Sequence, residues 1–200
     1  MKTLSKGVIA LIVLAVAAVA AVGWYISTRN GLVAQDEGVS TAWANVQSQY
    51  QRRADLFPNL VETVKGYAQH EEGTFTAVVE ARAKATQVTV DPTNLTPEKL
   101  KEFQAAQGEL SSALGRLLAL QENYPELKAN EQFSELQAQL EGTENRINKA
   151  RDDFNNAVQD YNLKVRQFPG SIVAGMAGFD VKTKFEADAA AQTAPKVSFN

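Results

Sequence analysis

Few residues in this chain of 200 have the chemistry for catalysis or metal binding. The sequence holds one histidine, His70, and no cysteine, which removes thiol nucleophiles, disulfides and cysteine zinc sites. His70 stands in the stretch AQHEEG, and Tyr67 occupies the position where a Glu-x-x-His metal motif needs a carboxylate. A serine or threonine nucleophile would have only His70 as its base. We therefore predict an exposed helical histidine and no metal site.

Carboxylates are the remaining groups capable of acid–base chemistry. They occur in clusters, interleaved with basic side chains, at Glu71, Glu72, Glu141, Glu144, Asp152 and Asp153. Charges placed in this way on helices usually form a solvated face with intrahelical ion pairs. The sequence also contains no glycine-rich nucleotide-binding motif. These observations predict a protein that is not an enzyme, with no cofactor and no evident small-molecule substrate.

The charge balance indicates which partners to expect. Lysine and arginine number 20 against 23 aspartates and glutamates, a formal net charge of −3. An acidic chain of this kind lacks the basic surface that binds phosphate backbones, so we expect no nucleic-acid partner.

The N-terminal segment has the length and composition of a membrane span. Residues 7–26 read GVIALIVLAVAAVAAVGWYI and contain no charge. As a helix this segment is about 30 Å long, the thickness of a hydrocarbon core. Lys2 and Lys6 precede it, while Trp24 and Tyr25 stand at its far end, where amphipathic rings favour the headgroup region. We predict that residues 7–26 cross the lipid bilayer of a cytoplasmic membrane once.

The orientation follows from the flanking charges. Two lysines and the α-amino group precede the span, while Arg29 and then Asp36 and Glu37 lie beyond it. The positive-inside rule then places the N-terminus in the cytoplasm and the body outside. The alternative is a cleavable signal peptide, with a small-x-small site at residues 15–17 or 18–20. The length of the apolar run favours a retained anchor, because signal peptides have shorter apolar regions.

Beyond the anchor, apolar residues recur at helical spacing in four segments, mostly at steps of three, four or seven, and no sustained alternation typical of strands occurs. The longest series are Leu32, Val39, Trp43, Val46, Tyr50 and Phe57; Leu60, Val64, Tyr67, Phe75 and Val78; Leu100, Phe103, Leu110, Leu114, Leu117 and Tyr124; and Phe133, Leu136, Leu140, Ile147, Ala150, Phe154, Ala157, Tyr161, Val165 and Phe168. Asp36, Arg53 and Gln107 also fall in these series. Thr96-Pro97 has the cap-and-proline pattern of a helix start.

This periodicity predicts an all-α protein in which an N-terminal transmembrane helix precedes an antiparallel up-and-down four-helix bundle. We assign residues 1–26 to the anchor, residues 27–169 to the bundle and residues 170–200 to a C-terminal tail. The rival arrangement is a hairpin of two very long helices that continue through Pro58 and Pro125.

Four stretches of the sequence are similar to a known family. They are QRRADLFPNLVETVKGYAQHE at 51–71, ENYPELKANEQF at 122–133, LEGTENRINKARDDFNNAVQDYN at 140–162, and the closing FPGSIVAGMAGF, KFEAD and APKVSF. Together they resemble the LemA family of bacterial membrane proteins over essentially the whole chain. The resemblance implies a single-pass anchor followed by a four-helix bundle. It implies no enzyme activity, because the family has no established biochemical function.

The first of these stretches and a Tyr-Pro pair form a candidate interaction or structural motif. Its residues are Arg52, Arg53, Asp55, Pro58, Asn59, Tyr124 and Pro125. We expect residues 55–58 to turn the first helix into the second, with Phe57 and Leu60 closing the end of the bundle. Arg52, Arg53 and Asp55 would brace that turn by ion pairing or face a partner. Tyr124 and Pro125 would form the junction between the third and fourth helices.

Two functions from different classes fit these features. The first is a membrane-anchored scaffold or adaptor whose partner is a second copy of itself or another protein. The second is a solute- or peptide-binding module with a pocket between the helices, lined by Trp43, Tyr50 and Tyr67. In either case the fourth helix returns toward the bilayer. We therefore expect residues 171–184 to rest on the membrane surface or on the membrane-proximal end of the bundle, with a disordered tail as the alternative.

Overall fold

A computed structural model describes residues 5–92 and 95–186. The regular elements in these ranges are all helices: α1 (Lys6–Lys65), α2 (Glu72–Gln87), α3 (Pro97–Ala119), a 3₁₀ turn (Leu120–Glu122), α4 (Pro125–Lys128), α5 (Glu131–Arg166) and α6 (Gly170–Ala177). The all-α class and the long apolar N-terminal helix are thus confirmed, while the up-and-down four-helix arrangement stays a prediction. The chain divides into two compact units. Unit 1 is Met1–Val39 with Ala157–Lys182, and unit 2 is Ser40–Asn156 with Thr183–Asn200.

Helix α1 passes through Pro58 and continues to Lys65, so the predicted turn at residues 55–58 is wrong. A proline within a helix removes the N–H that would bond to the carbonyl four residues earlier, which here belongs to Ala54. That carbonyl accepts a hydrogen bond from Arg82 Nε instead, at 3.0 Å. The chain turns later, between Lys65 and the start of α2 at Glu72.

The other two predicted helix boundaries agree with the structure. The side chain of Thr96 accepts a hydrogen bond from the Lys99 N–H, and Pro97 occupies the first turn of α3. After α3 the 3₁₀ turn leads to Tyr124, and Pro125 opens the short helix α4. Pro125 therefore separates helices, as predicted, whereas Pro58 does not.

The core of unit 2 is built from the predicted apolar series. Trp43 is fully buried, and its ring centroid lies 5.3 Å from that of Phe103 and 5.4 Å from that of Phe154, both in edge-on contact. Phe185, a residue of the predicted tail, stacks on Trp43 with a centroid distance of 5.8 Å. Its backbone N–H and carbonyl both bond to the amide side chain of Asn155. Two members of the series are exceptions, because Tyr67 and Phe168 are exposed.

Unit 1 joins the first part of α1 to the end of α5 and the chain that follows. Lys182 Nζ lies 2.7 Å from Asp36 Oδ1, and the Lys182 backbone exchanges two 2.8 Å hydrogen bonds with the Asn162 side chain. Two glycines make this return possible. A Cβ on Gly170 would stand 2.8 Å from the Lys164 carbonyl oxygen, and Gly178 ends α6 with φ at +74°.

Residues 170–177, predicted as part of a tail, thus form helix α6, with Val173 and Ala174 buried. The chain from residue 178 to 186 then runs without regular structure, held by the asparagine contacts. The rest of the predicted tail, residues 187–200, lies outside the described residues.

Candidate interaction motif and polar core

Arg53 is the one motif residue whose side chain lies wholly inside the described part of unit 2. It is 2% exposed. Its Nη1 donates to Glu144 Oε1 and to Ser111 Oγ, both at 2.7 Å. Its Nη2 donates to the side-chain and backbone oxygens of Gln107, at 2.7 and 3.2 Å. The guanidinium therefore joins α1, α3 and α5, because its rigid, planar donor set can bind several acceptors at once.

The surroundings of Arg53 complete this polar cluster. The Tyr50 ring lies beneath the guanidinium, 5.1 Å from its carbon to the ring centroid. Burial raises the pKa of the Tyr50 hydroxyl above its ordinary value, although the positive charges of Arg151 and Arg53 oppose this rise. Gln107 extends the hydrogen-bond network to α2, because its side-chain amide donates to the Ala85 carbonyl at 3.2 Å. Arg53 Nη1 and Nη2 and the Gln107 side chain thus have hydrogen-bond partners within the core, whereas the buried Arg53 Nε has none.

The remaining α1 residues of the motif face outward. Arg52, Asp55, Pro58 and Asn59 are exposed. Asp55 Oδ1 accepts a hydrogen bond from Gln51 Nε2 at 2.7 Å. The structure thus brings Arg53 into the interior and leaves its neighbours on the surface, while Phe57 and Leu60 lie in the hydrophobic core as expected.

Tyr124 meets the first stretch of the motif through the turn between α1 and α2. Its hydroxyl donates to Glu71 Oε1 at 3.3 Å. Partial burial raises the pKa of Tyr124, and the Glu71 carboxylate raises it further. Nearby in the sequence, the Asn130 side chain donates to the Tyr67 hydroxyl at 2.9 Å. The same side chain caps α5, because its oxygen accepts a hydrogen bond from the Phe133 N–H at 2.8 Å. Residues 51–71 and 122–133 therefore contact each other, which their separation in the sequence concealed.

The aromatic pocket proposed from the sequence is not formed in unit 2. Trp43 and Tyr50 both contact Phe103 within the packed core, at centroid distances of 5.3 and 5.0 Å. Tyr67 is exposed and bonds to Asn130. A different depression, of about 550 Å³, lies between α3 and α5. Its lining includes apolar Leu114, Leu118 and Leu140 and the carboxylates Glu141 and Glu144.

His70 lies in the turn that precedes α2 and is exposed. Among the residues that the structure describes, no group of three or more histidine, aspartate and glutamate side chains is arranged to hold a metal ion.

Helix α1 has one further property. In residues 5–92 and 95–186 it is the one helix long and apolar enough to cross a membrane. None of the most apolar stretch of this helix is buried within the molecule. The exposed fractions of its large apolar side chains between Val8 and Ile26 run from 41% to 74%.

These features define an all-helical protein with an exposed apolar N-terminal helix and a polar cluster inside its packed body. A model of the LemA family matches residues 42–199. The chain therefore belongs to the LemA family, as its resemblance predicted.

Curated relatives carry two names. Magnetosome protein MamQ 2 of Paramagnetospirillum magneticum is 27% identical over 202 residues, which cover 92% of this chain and 74% of that protein. Magnetosome protein MamQ of Magnetospirillum gryphiswaldense is 26% identical over 167 residues, 75% of this chain and 61% of that protein. Protein LemA of Metamycoplasma hominis is 24% identical over 150 residues, 75% of this chain and 65% of that protein.

Proposed function

We propose that this chain is a membrane-anchored, non-enzymatic helical scaffold or adaptor. The observation that carries the proposal is the exposed apolar start of α1. Leu11, Leu14 and Val19 are 67%, 65% and 74% exposed, and the described part of the chain buries none of the most apolar stretch of α1. A soluble protein would pay heavily for such a surface, whereas a bilayer stabilises it.

The flanking charges support one orientation of the anchor. Lys2 and Lys6 precede the span, and Arg29 is followed by the acidic Asp36 and Glu37 beyond it. With positive residues retained on the cytoplasmic side, the body stands outside the cytoplasmic membrane.

The polar cluster around Arg53 supports a scaffold rather than a catalyst. One guanidinium holds acceptors on α3 and α5 against α1, and its partners are used in that structural role. A buried guanidinium bound to acceptors on two other helices favours one register of the three helices. A body locked in this way would present its outer helix faces as a fixed platform for a second copy or another protein.

Two lysines placed within the span test the anchor. Each lysine near the bilayer centre costs about 2.5–3.5 kcal/mol in insertion. We expect the pair Leu14→Lys and Ala18→Lys to move the protein from the carbonate-washed membrane fraction to the soluble or degraded fraction. The matched control, Asn45→Lys with Ser48→Lys, alters exposed residues and should leave the protein in the membrane. Retention of both variants alike would refute the anchor.

Crosslinking in intact membranes, with neighbours identified by mass spectrometry, tests the scaffold. We expect lysine-reactive crosslinks from exposed body residues such as Lys128. In repeated experiments these should join the body either to a second copy of the chain or to one particular other protein. A body that yields only crosslinks within one chain, while α1 remains inserted, would contradict the adaptor role and leave the anchor standing.

The depression between α3 and α5 favours a second candidate function, binding of a basic amphipathic peptide. Its apolar floor and two carboxylates suit leucine and lysine side chains at helical spacing. Gly115 lines it, and a side chain there would meet nothing within 4 Å. Gly115→Phe should therefore fill the groove and weaken binding of a fluorescent Lys/Leu peptide at least tenfold. Gly108→Phe, equally unobstructed and two turns away on α3, is the control, and equal binding to both variants would exclude this function.

A further inference from the structure

Helix α6 and Phe168, which precedes it in the Phe168-Pro169 pair, present a second apolar surface in unit 1. Phe168 is 82% exposed, Met176 is 72% exposed and Ile172 is 50% exposed. Ile172 and Met176 are four residues apart and therefore share one side of α6. Val173 and Ala174, on another side of the same helix, are buried. The helix is thus packed on the protein along one side and uncovered along the other.

The position of this surface along α1 follows from contacts inside unit 1. The Lys164 ammonium lies 3.8 Å from the point where a Cβ on Gly31 would stand. Gly31 is five residues beyond Ile26, the end of the apolar run, or about 7.5 Å along the helix. From Lys164 the chain continues through Arg166 to Phe168 and α6. Because α5 returns antiparallel to α1 in this unit, these residues follow on the side of Gly31 that faces the apolar run.

The thickness of the headgroup layer determines which part of the membrane lies beside this surface. Headgroups add about 5–8 Å on each side of the hydrocarbon core. A surface less than about 7.5 Å from the end of the span therefore lies within the headgroup layer of the membrane that the span crosses. Arg29, Lys164 and Arg166 are exposed around it, and such basic residues are attracted to anionic headgroups. Asp36 also faces this region, but it is paired with Lys182.

We propose that α6 lies on the bilayer surface and inserts Phe168, Ile172 and Met176 at the boundary of headgroups and acyl chains, as a second membrane contact beside the anchor. The inference rests on the proposed membrane anchoring and adds a specific contact to it. Amphipathic helices bind membranes in this way through a buried apolar side and flanking basic residues. The contact would hold the end of α5 at the membrane.

Fluorescence quenching by lipid tests the proposal, because the chain has no native cysteine. The full chain is reconstituted in vesicles of phosphatidylcholine and phosphatidylglycerol, with a fluorophore on Cys at Met176→Cys, an exposed position. Lipids with a spin label near the top of the acyl chain quench probes that reach the hydrocarbon boundary. We expect at least a twofold loss of fluorescence at residue 176. Asp160 is exposed on α5 and lies one turn farther from the membrane than Lys164. A probe on Asp160→Cys should therefore lose less than a tenth of its fluorescence.

A third reporter separates failure of this contact from failure of the anchor. Ala17→Cys lies within the span, and its probe should be quenched whenever α1 is inserted. Quenching at residue 17 with none at residue 176 would overturn the proposal and leave the anchor intact. Absence of quenching at both residues would overturn the anchor as well. If the unlabelled Met176→Cys protein instead forms a disulfide-linked dimer in vesicles, and the probe on the labelled protein is not quenched, the surface binds a second copy and the lipid contact is wrong.

Discussion

Arg82 donates its Nε–H to the carbonyl oxygen of Ala54, the helical acceptor that Pro58 leaves without a partner. The side chain comes from α2, 28 residues farther along the chain. It replaces the missing backbone donor and lets α1 continue for two more turns to Lys65. Pro58, which the sequence predicted to separate two helices, is therefore accommodated within α1 by a side chain from α2.

This relationship predicts a coupled pair of substitutions. Arg82→Leu should destabilise the protein by about 1–3 kcal/mol, because it leaves a carbonyl without a hydrogen bond. In a Pro58→Ala background the new N–H bonds to Ala54, so the same change should cost markedly less. Urea unfolding of the detergent-solubilised protein measures all four variants. An identical cost of Arg82→Leu in both backgrounds would mean that Arg82 does not compensate for Pro58.

The pair of Arg53 and Glu144 gives a second prediction. Glu144→Ala should cost about 2–3 kcal/mol of unfolding free energy, because it leaves a buried guanidinium short of one charged acceptor. Glu141→Ala, one turn away and exposed, should cost under about 0.5 kcal/mol. Chemical unfolding of the two variants under identical conditions makes the comparison. Equal losses would show that the ion pair does not stabilise the body.

Tyr161 gives the protein a pH dependence in alkaline solution. Burial raises its pKa from 10.0 to about 12, helped by the negative charges of Asp36 and Asp180. A raised folded pKa means that the folded state keeps its proton longer than the unfolded state. The contribution of the Tyr161 proton equilibrium to the stability of the folded state is therefore complete below pH 10 and is lost as the pH rises toward about 12.

Substitution of this tyrosine should reduce that dependence. Tyr161→Phe removes the hydrogen bond from the hydroxyl to the Asp180 carbonyl, so it should destabilise unit 1 by about 1 kcal/mol at pH 8. The difference from the unaltered protein should shrink above pH 10. Tyr50 and Tyr124, whose pKa values are also raised, should preserve part of the slope. A constant difference from pH 8 to pH 11.5 would contradict the assignment.

The sequence predicted the interior better than the connections. Apolar spacing located Trp43, Phe57 and Leu140 in the core, because one face of a helix must be buried whatever it packs against. Helix boundaries at Thr96 and Pro125 followed from local chemistry. The continuation through Pro58 did not, since it depends on Arg82, which no local pattern links to Ala54.

The motif was harder to predict than the core for the same reason. Arg53 and Asp36 appeared as charged interruptions of an apolar series, and their partners Glu144 and Lys182 come from distant parts of the chain. Phe185 carried no periodic signal at all, because it lies in chain without regular structure. Its place in the core became visible only through its contacts with Trp43 and Asn155.

The most direct test of a single-pass anchor with an external body is labelling of single cysteines in spheroplasts by a membrane-impermeant maleimide. Ser134→Cys places the thiol on an exposed position of α5, and Ser5→Cys places it just before α1. We expect Cys at residue 134 to react in intact spheroplasts and Cys at residue 5 to react only after lysis. Reaction of residue 5 in intact spheroplasts, with residue 134 protected until lysis, would contradict the account.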